Sequence, residues 1–123
     1  MTNRTTFDAD DLNMLRSRTE VGIRTGPQPQ RPVTIWIVVV NDAVFVRSVR
    51  GPRGKWYRVA RASGEATLVA GPQEFAVRAT AVTDPATLDA VSQAFLSKYA
   101  NSPYAPTMVS ADNVPTTLRL ERG

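Results

Sequence analysis

A chain of 123 residues is the length of one domain, and 42% hydrophobic against 21% charged residues is ordinary globular usage, which excludes disorder as the starting expectation. There is no cysteine and no histidine, so disulfides, thiolate nucleophiles, serine–histidine–acid triads and the common zinc ligand sets are excluded. The net charge of +4 is uneven: across residues 24–61 eight basic residues face Asp42 alone, a net of +7, while the rest of the chain carries −3.

Residues 8–16 read as a short helix, with Asp8, Asp10 and Asp11 at its start and Leu12, Met14 and Leu15 on its apolar side. Residues 19–24 alternate, with Val21 and Ile23 on one face, and read as a strand. Gly and Pro make 25–32 a loop. Residues 33–40 are apolar on both faces, which predicts one strand covered on both sides, by the barrel interior and by a helix or a second subunit. Asn41-Asp42 turns this strand into a hairpin partner at 43–48. Residues 49–55 break the pattern, and 56–62 fit a short helix or a strand, with one or two helical turns favoured. Strands follow at 65–70 and 73–82 around a Gly71-Pro72 turn. Asp84 and Pro85 open a helix whose buried stripe is Leu88, Val91, Phe95 and Tyr99, ended by Asn101 and Pro103. A last strand is expected at 114–121.

Six strands with short connections predict an α+β, mainly β domain: an antiparallel sheet closed into a small barrel with flanking helices. One domain over 1–123 is expected, with 1–18 packing on it as a helical segment. The longest apolar run falls short of the about 20 residues a membrane helix needs, and the acidic N-terminal region lacks a signal-peptide pattern, so a cytoplasmic location is expected.

Within the basic stretch, residues 47–61 hold five Arg and one Lys with no acid. Guanidinium groups grip phosphate or carboxylate through paired hydrogen bonds. Gly51 and Gly54 allow close backbone approach, and Trp56 and Tyr57 offer flat surfaces beside the charges. An anionic small molecule is the natural guest; a merely solvated basic loop is the competing reading.

The runs Ile-Trp-Ile-Val-Val-Val (35–40), Val-Phe-Val-Arg-Ser (44–48), Arg-Gly (50–51) and Gly-Lys-Trp-Tyr-Arg (54–58) resemble an uncharacterised bacterial family within the flavin and deazaflavin split-barrel superfamily. That superfamily includes pyridoxamine-phosphate-oxidase-like proteins and deazaflavin-dependent nitroreductases. The resemblance spans roughly residues 19–121 and implies a six-stranded antiparallel split barrel, a homodimer, and FMN or a deazaflavin as cofactor. By that similarity Thr25 and Arg31 belong to a cofactor loop, which here reads Gly26-Pro27-Gln28-Pro29-Gln30. Arg47, Ser48, Arg50 and Gly51 would line the phosphate or ring edge, and Lys55, Trp56 and Arg58 would follow at the start of the short helix. A small reductase is the leading expectation. A non-catalytic binding module for a phosphorylated or carboxylated metabolite is the second, and a basic barrel that binds nucleic acid ranks last.

Overall fold

The structure is a computed structural model that describes residues 7–26 and 31–123. The Pro-Gln part of the expected 25–32 loop lies outside the described residues.

Asp8 caps α1 (Ala9–Ser17), its carboxylate accepting the Asp11 N–H at 2.9 Å, and Asp10 and Asp11 suit the helix dipole. Leu12 and Leu15 are buried in the core beneath it. The chain continues through β1 (Val21–Arg24), β2 (Val33–Ile35), β3 (Val38–Val40) and β4 (Ala43–Val46). A 3-10 turn at Gly51–Arg53 leads into α2 (Lys55–Ser63), and then come β5 (Glu65–Ala70), β6 (Gln73–Ala81) and α3 (Pro85–Lys98). A short α4 (Ala105–Met108), a 3-10 turn at Val114–Thr116 and β7 (Leu118–Arg122) complete the chain. Asp84 caps α3 as expected, accepting the Thr87 N–H at 2.9 Å and the Thr87 hydroxyl at 2.6 Å. Among the described residues, no helix is long and apolar enough to cross a membrane.

The seven strands form one curled antiparallel sheet in the order β2-β1-β5-β6-β7-β4-β3. The α+β, antiparallel reading holds, and the strand count differs by one for a specific reason. The expected single strand at 33–40 is two strands, β2 and β3, on opposite edges of the sheet. Ile35 pairs with Val21, Val38 pairs with Phe45, and only Trp36 and Ile37 lie between. One segment thus supplies both edges, which is how the curled sheet avoids leaving two distant open edges.

Side-chain alternation runs straight through this break. Ile35, Ile37 and Val39 face the main core with Ile23, Val44, Val46, Leu68 and Leu120. Trp36, Val38 and Val40 face a second cluster formed with Phe45 and with Val91, Phe95 and Tyr99 of α3. The doubly apolar pattern therefore marks a strand with the barrel interior on one side and a helix on the other.

One further expectation holds and another shifts. The hairpin turn at Asn41-Asp42 is present with both residues at positive φ, 49° and 65°, the left-handed conformation that a tight turn requires and that Asn and Asp tolerate. The last strand starts later than expected. Thr116 donates its hydroxyl to Asn113 C=O at 2.6 Å and Thr117 its hydroxyl to Val114 C=O at 2.7 Å, which winds 114–116 into a 3-10 turn. Threonine side chains that bond local carbonyls compete with the ladder in this way.

Candidate functional site

β4 ends at Val46 because its neighbour β7 begins only at Leu118. The next backbone donor, Ser48 N–H, goes to Thr116 Oγ1 at 3.0 Å. The chain then turns: Gly51 N–H bonds Ser48 C=O at 3.0 Å, Gly54 N–H bonds Gly51 C=O at 3.2 Å, and Asn113 Nδ2 holds Val49 C=O at 3.2 Å. Gly51 sits at φ 66°, against Asn113, where a side chain would be strained. Ser48, Arg50 and the start of α2 are thereby brought to one wall of a cavity of about 440 Å³. Val33, Thr34, Ile35 and Trp36 form another wall, and Glu20, Tyr104 and Met108 complete the lining. This volume is that of an ordinary small-molecule pocket.

Two polar features on this wall lack partners. Ser48 is 1% exposed, and its hydroxyl is a buried side-chain oxygen without a hydrogen bond. Gly54, the N-cap of α2, gives that helix no side-chain cap. The N–H groups of a first helical turn have no intrahelical acceptor and carry the positive end of the helix dipole. A Cβ on Gly54 would collide with Ser48 Oγ, so a glycine here is what lets the hydroxyl and the helix start approach each other. Arg50 and Lys55 flank them, both exposed. A buried hydroxyl, an uncapped helix start and two cations together suit one anionic group.

Arg47 serves the wall differently. It is 1% exposed, and its guanidinium donates to Thr117 Oγ1 at 2.7 Å, Ser92 Oγ at 2.9 Å, Met108 C=O at 2.9 Å and Leu88 C=O at 3.0 Å. It also lies over the Phe95 ring, 5.5 Å from the centroid. Every partner is neutral, and burial pulls its pKa down to about 10. With four donors taken, Arg47 ties β7, α3 and α4 to the back of the pocket wall. That is a structural bond set rather than the open phosphate grip the resemblance implies.

The opposite wall is set by the strand break. Ile37 has no ladder partner, and side chains from the end of α3 take its backbone groups. Its N–H donates to Tyr99 Oη at 3.1 Å, and its C=O accepts from Lys98 Nζ at 2.8 Å. The Tyr99 hydroxyl donates in turn to Thr19 C=O at 2.6 Å. Burial pushes the Tyr99 phenol up to about 12 and pulls the Lys98 amine down to about 8. Trp36 stacks on Tyr99 with ring centroids 3.9 Å apart and planes 1° from parallel. Tyr99 thus fixes the tilt of an indole that lines the cavity.

Of the nine residues singled out from sequence, Arg47, Ser48, Arg50, Lys55 and Trp56 line this cavity. Gly51 shapes the turn behind it. Thr25 is half-buried just past the end of β1, Arg31 is exposed, and Arg58 is exposed on α2; none of the three is among the lining residues. The wider basic stretch disperses. Arg24 pairs with Glu74 at 2.7 Å, and Arg61 donates to the Tyr57 hydroxyl at 3.0 Å. Glu20, Trp36, Tyr104 and Met108 were not singled out as site residues. Trp36 carried a signal, as the one aromatic in a doubly apolar strand. Tyr104 and Met108 follow a helix stop and carried none.

Comparison with solved structures places the fold. A protein from Listeria innocua described as a putative pyridoxamine 5'-phosphate oxidase matches with a TM-score of 0.61 at 7% identity, covering 93% of this chain and 90% of that one. HutZ, the haem storage protein from Vibrio cholerae, matches with a TM-score of 0.65 at 12% identity over 98% of this chain and 92% of that one. The FAD binding protein from Mycobacterium smegmatis gives 0.54 at 18% identity over 97% and 92%. At these identities the shared property is the fold, a split barrel of the pyridoxamine-phosphate-oxidase type. No curated protein matches the sequence. The model of a family described as uncharacterized proteins conserved in bacteria (DUF2255) matches residues 11–120, and the chain belongs to that family.

Proposed function

We propose that this protein binds a flavin or deazaflavin through its phosphate in the cavity between Trp36 and the start of α2. The observation that carries the reading is the orphaned Ser48 hydroxyl beside the uncapped N-terminus of α2, with Arg50 and Lys55 alongside. A phosphate supplies acceptors for all of them at once, and a buried hydroxyl left without a partner otherwise costs about 1–3 kcal/mol. The remaining lining suits a planar ring: Trp36, Trp56, Val33, Ile35 and Met108 are apolar or aromatic. Solved proteins of the same fold bear names that include an FAD binding protein, which supports a flavin as the class of guest.

When bound, the cofactor supplies the hydride or electron chemistry that a chain without histidine or cysteine does not carry. The chain's own part is to hold the phosphate at Ser48 and α2, orient the ring against Trp36, and exclude water. A small reductase is the activity we propose. A second reading, a non-catalytic carrier of a phosphorylated metabolite, draws support from the lining: its acid–base groups are few, with Glu20 the sole carboxylate among the described lining residues.

A homodimer belongs to the same proposal. Four large apolar side chains are markedly exposed among the described residues, and Val33 (46%), Val49 (56%) and Tyr104 (66%) all line this cavity. A second copy seated there would cover them and close the pocket.

The test is a titration of the purified protein with FMN, FAD and a deazaflavin, followed by fluorescence, with haemin as a parallel arm. Saturable binding of a flavin or deazaflavin below tens of micromolar, competed by inorganic phosphate, supports the proposal. Binding of haemin alone sinks it. Turnover of a reductant by the loaded protein separates reductase from carrier.

A further inference from the structure

Charge around the cavity is segregated. The wall formed by the end of β4 and the start of α2 carries Arg47, Arg50 and Lys55, and Glu20 is the sole carboxylate among the described lining residues. The backbone puts that carboxylate on the ring side. β1 and β2 pair with Val21 opposite Ile35, so the same register sets Glu20, just before β1, across from Trp36, just after β2. Val21 and Ile35 both face the main core. Alternation then sends Glu20 and Trp36 to the other face together, as cross-strand neighbours, and both line the cavity.

Tyr99 ties the two residues together. It stacks on Trp36, and its hydroxyl donates to Thr19 C=O at 2.6 Å, one residue before Glu20. The Glu20 charge adds to burial in raising the Tyr99 phenol. With Tyr99 on one face of the indole, Trp36 has its remaining face and edge to give to a guest. The Glu20 side chain is exposed, and no cation lies within ion-pair distance of it among the described residues. Arg18, its near neighbour in sequence, donates to the Glu20 backbone carbonyl at 3.3 Å instead.

We propose that Glu20 is a specificity residue for the ring end of the guest: the Trp36 wall takes a flat ring whose edge bears an N–H donor and turns away one whose edge bears a carboxylate. This rests on the reading above, with phosphate at Ser48 and ring at Trp36. A flavin or deazaflavin has an imide N–H on its ring edge, and a carboxylate is a strong acceptor for it. Haem has carboxylates at its edge, which Glu20 repels. One side chain thus attracts one class of flat guest and rejects another.

The test uses the full chain, wild type and Glu20→Gln, titrated by fluorescence with FMN, N3-methyl-FMN and N3-carboxymethyl-FMN. All three keep the phosphate and differ at the imide. Glutamine keeps the size and an acceptor and removes the charge. A hydrogen bond to a charged group, discounted for an exposed carboxylate, is a factor of about five to ten in affinity. The wild type should bind FMN about tenfold tighter than the N3-methyl form, and the N3-methyl form about fivefold tighter than the N3-carboxymethyl form. In Glu20→Gln the first ratio should fall to about threefold and the second to near one. Added bulk costs the same in both proteins, so the change in each ratio isolates the charge. Inorganic phosphate, read by competition with FMN, should bind both proteins equally. Ratios that are the same in the two proteins overturn the proposal and leave flavin binding standing. A phosphate affinity that changes as much as the ratios do overturns it too, because Glu20 would then act on the whole cavity rather than on the ring edge. Failure of all three flavins to bind the wild type overturns the function proposed above and this inference with it.

Discussion

Replacing Ser48 by alanine should make the empty protein more stable and the loaded protein weaker. Ser48 Oγ is buried with no partner, while its backbone N–H keeps the bond to Thr116 Oγ1 at 3.0 Å in the variant. Alanine retains the Cβ and removes only the orphaned oxygen. Relief of an unsatisfied buried hydroxyl is worth about 1 kcal/mol, which for a domain of this length raises Tm by roughly 3–5 °C. The same hydroxyl would donate to a bound phosphate, and a hydrogen bond to a charged group is worth about 1.5–3 kcal/mol, so flavin affinity should drop roughly 10- to 100-fold. Urea unfolding without ligand and fluorescence titration with FMN give the two numbers on one preparation. A Ser48→Ala protein that is less stable when empty refutes the reasoning, because the hydroxyl would then hold a partner in the free protein. A second arm uses Gly54→Ala, which places a methyl group against Ser48 Oγ. That change should destabilise the wild type and be better tolerated on the Ser48→Ala background.

Other outcomes follow from the same geometry. Arg47→Met should cost about 3 kcal/mol or more in urea unfolding, because it strands acceptors at Thr117, Ser92, Met108 and Leu88 inside the fold. Arg50→Ala should weaken FMN binding several-fold and Arg58→Ala should leave it unchanged, since Arg50 lines the cavity and Arg58 is not among its lining residues. Lys98 titrates near 8 in the folded chain and near 10.5 unfolded, so between those values the unfolded state binds more protons and stability rises with pH. The gain should be about 1–2 kcal/mol, allowing for solvent at a half-exposed amine, and Lys98→Met should remove it. Tyr99 acts with the opposite sign: its pKa is raised to about 12 from 10, so stability is lost from pH 10 upward, and the wild-type profile should peak close to pH 10.

Local chemistry made much of the fold legible. The acidic start of α1, the Asp84 cap, the Asn41-Asp42 turn and the alternation of β6 each depend on neighbours within a few residues. The break at Trp36-Ile37 does not. It exists because Tyr99 and Lys98, some sixty residues away, take the backbone groups that the ladder drops, and no local pattern in 33–40 records that. The two apolar faces of 33–40 mark the strand and its two environments but not its change of partners. The site divides in the same way. Ser48, Arg50, Lys55 and Trp56 fall within one short stretch of chain, the turn and the start of α2, and local sequence groups them. Arg47 sits among them in sequence yet turns inward, because Thr117, Ser92, Leu88 and Met108 assemble a polar socket that only tertiary packing creates. Tyr104 and Met108 reach the cavity through α4, four residues long and without periodicity to announce it.

The segment that supplies both edges of the sheet also makes those edges mutually dependent. β2 is held by β1 alone and β3 by β4, and each is three residues long, too short to persist as an isolated ladder. What keeps them is the anchor at Ile37 between them. If that anchor lets go, both hairpins lose their tether in one event, and the seam opens as a unit. Amide hydrogens of β2 and β3 should therefore exchange with a common opening free energy although they lie at opposite ends of the sheet order. Trp36 would leave the cavity wall in that same opening, so loss of the seam also takes a flat aromatic surface away from the pocket.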